Sequence, residues 1–217
     1  MNKKAIILGA SGLIGSQLLQ LLLESPHYEE VLAIVRKPLK ITHKKLNVIT
    51  SDFSDSTSLE NLIKGDVIFS CVGSTKKKTP NKADYLKVDK EIPTQIAKFG
   101  KTNGVLQFHI VSSLGADSNS SIFYSKMKGE TEDIIKNIGI KSTHIYQPSL
   151  LIGPRKEKRF GEDIAAFIAN IIDPLLLGSF AKYRSIKTIE VATGMYNQSL
   201  KNLTGIFTYP SDYIKKL

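Results

Sequence analysis

Cysteine is nearly absent from this 217-residue chain; Cys71 stands alone. An internal disulfide framework is therefore excluded, and the composition fits a reducing compartment. Arginine is scarce too. Of the 30 basic residues only four, Arg36, Arg155, Arg159 and Arg184, are arginine. A net charge of +10 invites a nucleic-acid partner. Yet arginine is the group that reads bases and grips phosphates, and no zinc-finger, RNP or helix-turn-helix pattern accompanies the lysines. A solvated lysine-rich surface is the simpler reading, and nucleic acid is not an expected partner. The four histidines, His27, His43, His109 and His144, show no metal-ligand spacing. His109 and His144 fall inside apolar strands and read as core residues, so no metal is expected. No apolar run is long enough to span a bilayer: the stretch 164–180 is interrupted at Asp173-Pro174. Lys3 and Lys4 precede an apolar run as in a signal peptide, but Gly9, Gly12 and Gly15 break it. A soluble, cytoplasmic protein is expected.

What the chain does contain begins at Ala5-Ile6-Ile7-Leu8, an apolar run that passes directly into Gly9-Ala10-Ser11-Gly12-Leu13-Ile14-Gly15. Leu18, Leu19, Leu21, Leu22 and Leu23 follow. Strand, tight turn and helix in that order let a pyrophosphate approach the backbone N–H groups at the helix N-terminus. A second apolar strand ends at Arg36-Lys37. A fold that prefers NAD places an acidic residue here, on the ribose 2′-hydroxyl. Two cations suit a 2′-phosphate instead, which points to NADP(H), with NAD(H) less favoured.

Further strands are expected over 47–50, 66–73, 105–111 and 141–146, with helices over 59–63, 81–103 and around Tyr124. Pro93 marks either a break in the long helix or the first turn of a second one. The lysine run Lys76 to Lys78 reads as a solvated loop. Strand and helix alternate with short connections, which predicts an α/β, Rossmann-like, doubly wound parallel sheet. Past residue 150 the alternation fails. A charged turn over 155–159, helices over 161–172 and 185–200 and a short strand over 205–209 are expected there. The chain reads as one domain over 1–217, with 151–217 forming a small C-terminal cap on the substrate side of the sheet.

Tyr124 and Lys128 stand at i and i+4, on one face of a helix that follows a strand ending in Ser112-Ser113. A phenol beside a cation can donate a proton to a carbonyl oxygen as hydride arrives, or take it back. The lysine could also hold ribose hydroxyls, and Ser112 or Ser113, with Ser113 favoured, could share the substrate oxygen. A second Tyr-x-x-x-Lys, Tyr183 and Lys187, lacks such neighbours.

Gly9-Ala-Ser-Gly-Leu-Ile-Gly15, Cys71-Val-Gly-Ser-Thr75, Val111-Ser-Ser-Leu-Gly-Ala-Asp117 and Tyr124-Ser-Lys-Met-Lys-Gly-Glu130 together resemble the atypical short-chain dehydrogenases. Asn119 to Tyr124 and Leu150 to Arg159 resemble their Tat-interacting-protein oxidoreductase branch and its bacterial relatives. The resemblance covers residues 1 to about 165. It implies that Ser11, Gly12, Leu13 and Ile14, between Gly9 and Gly15, wrap the pyrophosphate, and that Arg36 and Lys37 hold the 2′-phosphate. Asp52 and Phe53 would flank the adenine, Val72 and Gly73 line the cofactor path, and Leu151 and Arg159 approach the cofactor from the tail. Tyr124, Lys128 and Ser113 would form the catalytic set. Gln147 stands where the family usually has arginine, and Ser149 where it often has glycine; Leu13 and Ile14 are apolar where some relatives are polar. These departures bear on the substrate pocket and on turnover.

The expected activity is an NADP(H)-dependent reduction of a carbonyl, or oxidation of the alcohol, on a small molecule whose identity the residues do not specify. Two other functions share the motifs. One is an NADPH-binding regulator with little turnover and a protein partner. The other is a nucleotide-sugar epimerase or dehydratase, for which the chain is short.

Overall fold

A computed structural model describes residues 2–74, 79, 81–153, 173 and 176–217. The lysine run Lys76 to Lys78, the charged turn over 155–159 with Arg159, and the expected helix over 161–172 lie outside the described residues. β1 (Lys3–Leu8) leads through the glycine turn into α1 (Leu13–Glu24), then β2 (Tyr28–Val35) and β3 (Leu46–Thr50). α2 (Ser56–Leu62) precedes β4 (Val67–Ser70). The long helical stretch that follows has three parts. They are α3 (Lys82–Leu86), a π-helical turn (Lys87–Glu91) and α4 (Ile92–Thr102), with Pro93 in the first turn of α4. β5 (Gln107–Val111), α5 (Phe123–Ile138) and β6 (Ser142–Gln147) complete the alternation.

The strands form a parallel sheet in the order β3-β2-β1-β4-β5-β6-β9, where β9 is Gly205–Pro210. Parallel strands buried on both faces need an apolar side chain at nearly every position, which β1 and β4 supply. Ile7, Val31 and Phe69 join one core layer with Leu18 and Leu22 of α1. Ile6, Ile68 and Phe108 join the other with Leu59 of α2, Ile96 of α4 and Ile135 of α5. The chain winds from β1 out to β3, then returns to start again at β4 on the other side of β1. The carboxyl ends of β1 and β4 therefore flank the point where winding reverses, the usual crevice for a ligand in such sheets.

The described residues of the tail lie in two places. β7 (Leu151–Ile152) pairs in parallel with β8 (Ile186–Lys187), and a 3-10 helix covers Gly178–Tyr183. These pieces stay beyond the end of β6, where Ser149 Oγ donates to the Arg184 carbonyl. The later described residues pack along the sheet instead. α6 (Thr188–Ser199) lies against α1, with Val191, Ala192 and Met195 fully buried, and β9 extends the sheet beside β6. Without them β6 would be an open edge, and the α1 side of β4 to β6 would expose its apolar side chains. A four-residue helix, α7 (Ser211–Ile214), closes the chain.

Candidate active site

Gly9 ends β1 with φ +76°, a backbone conformation that a side chain disfavours. A Cβ at Gly9 would stand 2.6 Å from the Cys71 carbonyl oxygen and 2.8 Å from the Val72 nitrogen. A Cβ at Gly15 would fall 2.1 Å from the Gly9 carbonyl oxygen. The turn is thus pressed against the exit of β4 on one side and against the first turn of α1 on the other. The Gly12 N–H donates to the Gly9 carbonyl at 2.9 Å, and Gly12 then caps α1 with no side chain and no acidic residue in the first turn. The first N–H groups of a helix have no intrahelical acceptor. Here Ser11 and Gly12 are exposed and nothing among the described side chains caps them. This cradle fits a pyrophosphate. Ile14 turns its side chain into the core, so its part can only be played by the backbone.

Arg36 and Lys37 follow β2 directly and are exposed. They stand at the carboxyl end of the strand that neighbours β1, in register with the turn. Asp52 is exposed and accepts from the Ser54 N–H at 2.9 Å and from its hydroxyl at 2.6 Å. Those two bonds hold its carboxyl below the usual carboxylate range. Phe53 adopts φ +65°, rare for an aromatic residue, with its N–H donated to Ser51 Oγ at 3.0 Å. Its ring is buried in the core layer with Ile34 and Leu59. Of the expected adenine pair, Asp52 is therefore the member that presents a side chain outward. Leu151 lies in β7, partly buried against the α1-side core.

The Tyr124–Lys128 pair is on α5, as its spacing requires; Tyr124 is 38% exposed and Lys128 only 5%. The other Tyr-x-x-x-Lys is divided, with Tyr183 at the end of the 3-10 helix and Lys187 in β8. Lys128 does not face Tyr124 alone. Its ammonium lies 6.0 Å from the Tyr124 ring centroid and 2.8 Å from Asp89 Oδ1, in an ion pair whose side chains are both almost wholly buried. Burial pushes the Lys128 ammonium down, but the Asp89 carboxylate, with Tyr124 and Glu132 behind it, more than offsets this and holds it above its ordinary value.

Asp89 belongs to the π-helical turn, and its second oxygen accepts the Ser74 N–H at 2.7 Å. Tyr85 donates its hydroxyl to the Ser74 carbonyl at 3.0 Å and stands edge-on to the Tyr124 ring, with centroids 6.4 Å apart. A continuous line of contacts therefore runs from the glycine turn through Cys71–Ser74 to Asp89, Lys128 and Tyr124. Asp89 and Tyr85 carry no motif. Their burial and the helical break that places Asp89 appear only in the fold.

The two serines after β5 separate clearly. Ser112 is buried, and its hydroxyl donates to Glu132 Oε1 at 2.5 Å. The same carboxylate accepts two bonds from the Gln147 amide, at 2.9 and 3.1 Å, and Lys136 lies 3.7 Å away. Among the described residues Ser113 Oγ makes only a weak local bond to the Leu114 carbonyl, at 3.3 Å. The hydroxyl free for a ligand is that of Ser113. The Gln147 departure has a structural partner as well, since its amide meets the buried Glu132 that an arginine there would neutralise.

Cys71 is half-buried between the turn and Met195, with the two sulfurs 4.0 Å apart, and burial pushes its thiol up to about 12. It is a packing residue. Among the described residues no group of histidine, cysteine and carboxylate side chains could hold a metal, and no helix is long and apolar enough to cross a membrane.

A protein-family model described as NAD(P)H-binding matches residues 9–173. Protein HTATIP2 of Rattus norvegicus is 30% identical over 202 residues, covering 90% of this chain and 81% of its own. Protein FMP52, mitochondrial, of Candida albicans is 35% identical over 170 residues, covering 76% of this chain and 74% of its own. Among solved structures, a UDP-N-acetylglucosamine 4-epimerase from Methanobrevibacter ruminantium, in complex with UDP-N-acetylmuramic acid, superposes with a TM-score of 0.70. It covers 96% of this chain and 76% of its own at 17% identity, a likeness of fold alone.

Proposed function

The chain belongs to the NAD(P)H-binding family of atypical short-chain dehydrogenases, and on that premise we propose that it is an NADP(H)-dependent oxidoreductase acting on a carbonyl or the corresponding alcohol. The observation that carries the reading is the unbroken contact line from the glycine turn to Tyr124. It joins a phosphate cradle to an acid/base pair across the point where the sheet reverses its winding.

The N–H groups at the start of α1 would hold the pyrophosphate, and Arg36 with Lys37 the 2′-phosphate. No acidic side chain stands at 36 or 37 to claim a free 2′-hydroxyl, which supports NADP(H) over NAD(H). When bound, the cofactor supplies hydride to the carbonyl carbon or accepts it from the alcohol. Tyr124 donates its phenolic proton to the carbonyl oxygen in reduction and takes it back in oxidation. Lys128 keeps a cation beside that phenol. Asp89 takes one of its three N–H donors and leaves the others for ribose hydroxyls. Ser113 shares the substrate oxygen, since Ser112 is committed to Glu132. A reducing compartment is proposed from the single cysteine.

Titration with NADPH and NADH, followed by nicotinamide fluorescence, tests the reading on wild type and Arg36→Glu. NADPH is expected to bind at least about tenfold more tightly to wild type, a difference of about 1.4 kcal/mol, and the variant to lose that preference. Failure of both cofactors to bind would overturn the proposal. Tight NADPH binding with no hydride transfer across a broad panel of carbonyl compounds would move the protein to the regulator class.

A further inference from the structure

We propose that Asp89 and Tyr85 are positioning residues that clamp the Ser74 peptide and, through it, set the distance between the cofactor path and the Tyr124–Lys128 pair. This rests on reading α5 as the acid/base element. Ser74 is gripped at both backbone groups from one segment, its N–H by Asp89 at 2.7 Å and its carbonyl by the Tyr85 hydroxyl at 3.0 Å. Each gripping residue also touches one member of the pair. Asp89 holds the Lys128 ammonium at 2.8 Å, and the Tyr85 ring packs edge-on against Tyr124.

The two links are short and shielded from water. Asp89 is 2% exposed and Tyr85 8%. A Cβ on Gly73 would come to rest 3.6 Å from Asp89 Oδ1, so the loop lies directly along the carboxylate. A lysine on its own is a long chain with many rotamers, and a buried ion pair selects one of them. Lys90 and Glu130, 2.6 Å apart, tie the same segment to α5 a second time. The π-helical turn supplies the placement. Such turns take up one extra residue inside a helix, and this one carries Asp89 to a buried position between the loop and α5.

The clamp makes no bond to the glycine turn itself. Its removal should therefore lower turnover more than it lowers cofactor affinity. Asp89→Asn keeps the shape and removes the charge, and Tyr85→Phe removes one hydroxyl. The first readout is hydrogen exchange of the Ser74 amide in the protein without cofactor, which requires no activity. Asp89→Asn should speed that exchange by about tenfold or more, because a bond to a charged acceptor is replaced by one to a neutral amide. The second readout is NADPH oxidation with a panel of aldehydes and ketones. Both variants should lower kcat, Asp89→Asn by about tenfold or more. KM for NADPH should stay within about threefold of wild type. A variant that merely loosens the fold would move KM together with kcat.

Unchanged exchange at Ser74 in Asp89→Asn overturns the clamp, as does unchanged kcat in both variants of an active enzyme. If Asp89→Asn does not fold, Tyr85→Phe decides by the same two readouts. If wild type binds no NADPH, the proposed function falls, and the exchange measurement alone settles whether the clamp exists.

Discussion

A hydroxyl at Tyr124 and another at Ser113 are the two groups whose loss should be felt in chemistry alone. Tyr124 is partly exposed at the start of α5, so Tyr124→Phe should fold normally and keep NADPH affinity within about threefold. Turnover should fall by about 100-fold or more, the usual worth of a positioned proton donor. Full activity in that variant would return Tyr124 to the status of a surface residue. The two serines make a sharper pair. Ser112→Ala removes a donor from the buried Glu132 carboxylate and should cost about 1.5–3 kcal/mol in urea unfolding. Ser113→Ala should leave stability unchanged and lower turnover. The reverse pattern would exchange their roles. Chain order favours Ser113 only weakly, because adjacent residues at a strand end differ only in which face they take. Glu132, which engages the Ser112 hydroxyl, lies on another element.

At the scale of elements, the glycine turn and α1 stand on different forces. Gly15→Ala places a Cβ against the backbone of Gly9, where no flexible side chain can give way. Overpacking of that kind costs about 1–3 kcal/mol. Because the displaced atoms belong to the cradle, NADPH affinity should drop along with thermal stability. An equilibrium titration and a melting curve on one sample would show both. Leu22, fully buried between α1 and the sheet, is the contrasting case. Leu22→Ala should cost about 2–5 kcal/mol through the cavity it leaves, with cofactor affinity unchanged once the folded fraction is corrected for. Both elements are legible in sequence, since glycine spacing and leucine periodicity are local. The π-helical turn is not. A single inserted residue leaves the apolar pattern of Val88, Ile92 and Ile96 looking like one helix, and Pro93 hints at a boundary without showing what it places.

For the whole molecule, the most telling feature is a polar seam inside the sheet. His109 and His144 are register partners on β5 and β6, with rings stacked 4.3 Å apart and fully buried. All four ring nitrogens have hydrogen-bond partners: Tyr146 and Gln107 for His109, Ser142 and Tyr209 for His144. Burial holds His109 well below its ordinary value, with His144 and Lys3 adding to the effect. Burial, then Lys201, brings His144 down to about 4. Both histidines are thus neutral in the fold and more basic when unfolded. The contribution of His144 is fully present above the unfolded value near 6.5 and is lost as pH falls from there toward about 4, and that of His109 is lost in the same direction. His144 should remove about 1.4 kcal/mol per pH unit within that window. Urea midpoints at pH 7.5, 6 and 5 should decline accordingly, and His144→Gln should flatten the decline. A flat profile in wild type would mean that the seam admits protons without strain.

By itself the sequence determined the parallel α/β sheet, the glycine turn between β1 and α1, the cations after the second strand and the spacing of Tyr124 and Lys128. Each of these depends on residues within a few positions of one another, where period, glycine and charge act locally. Only the tertiary structure decided what completes them. It paired Asp89 with Lys128 and Ser74, and Ser112 with Glu132 and Gln147. It turned the Phe53 ring into the core and drew the tail into the sheet as α6 and β9. Those outcomes follow from burial. A charge taken out of water must find a partner, and an open sheet edge must find a cover, wherever in the chain these lie.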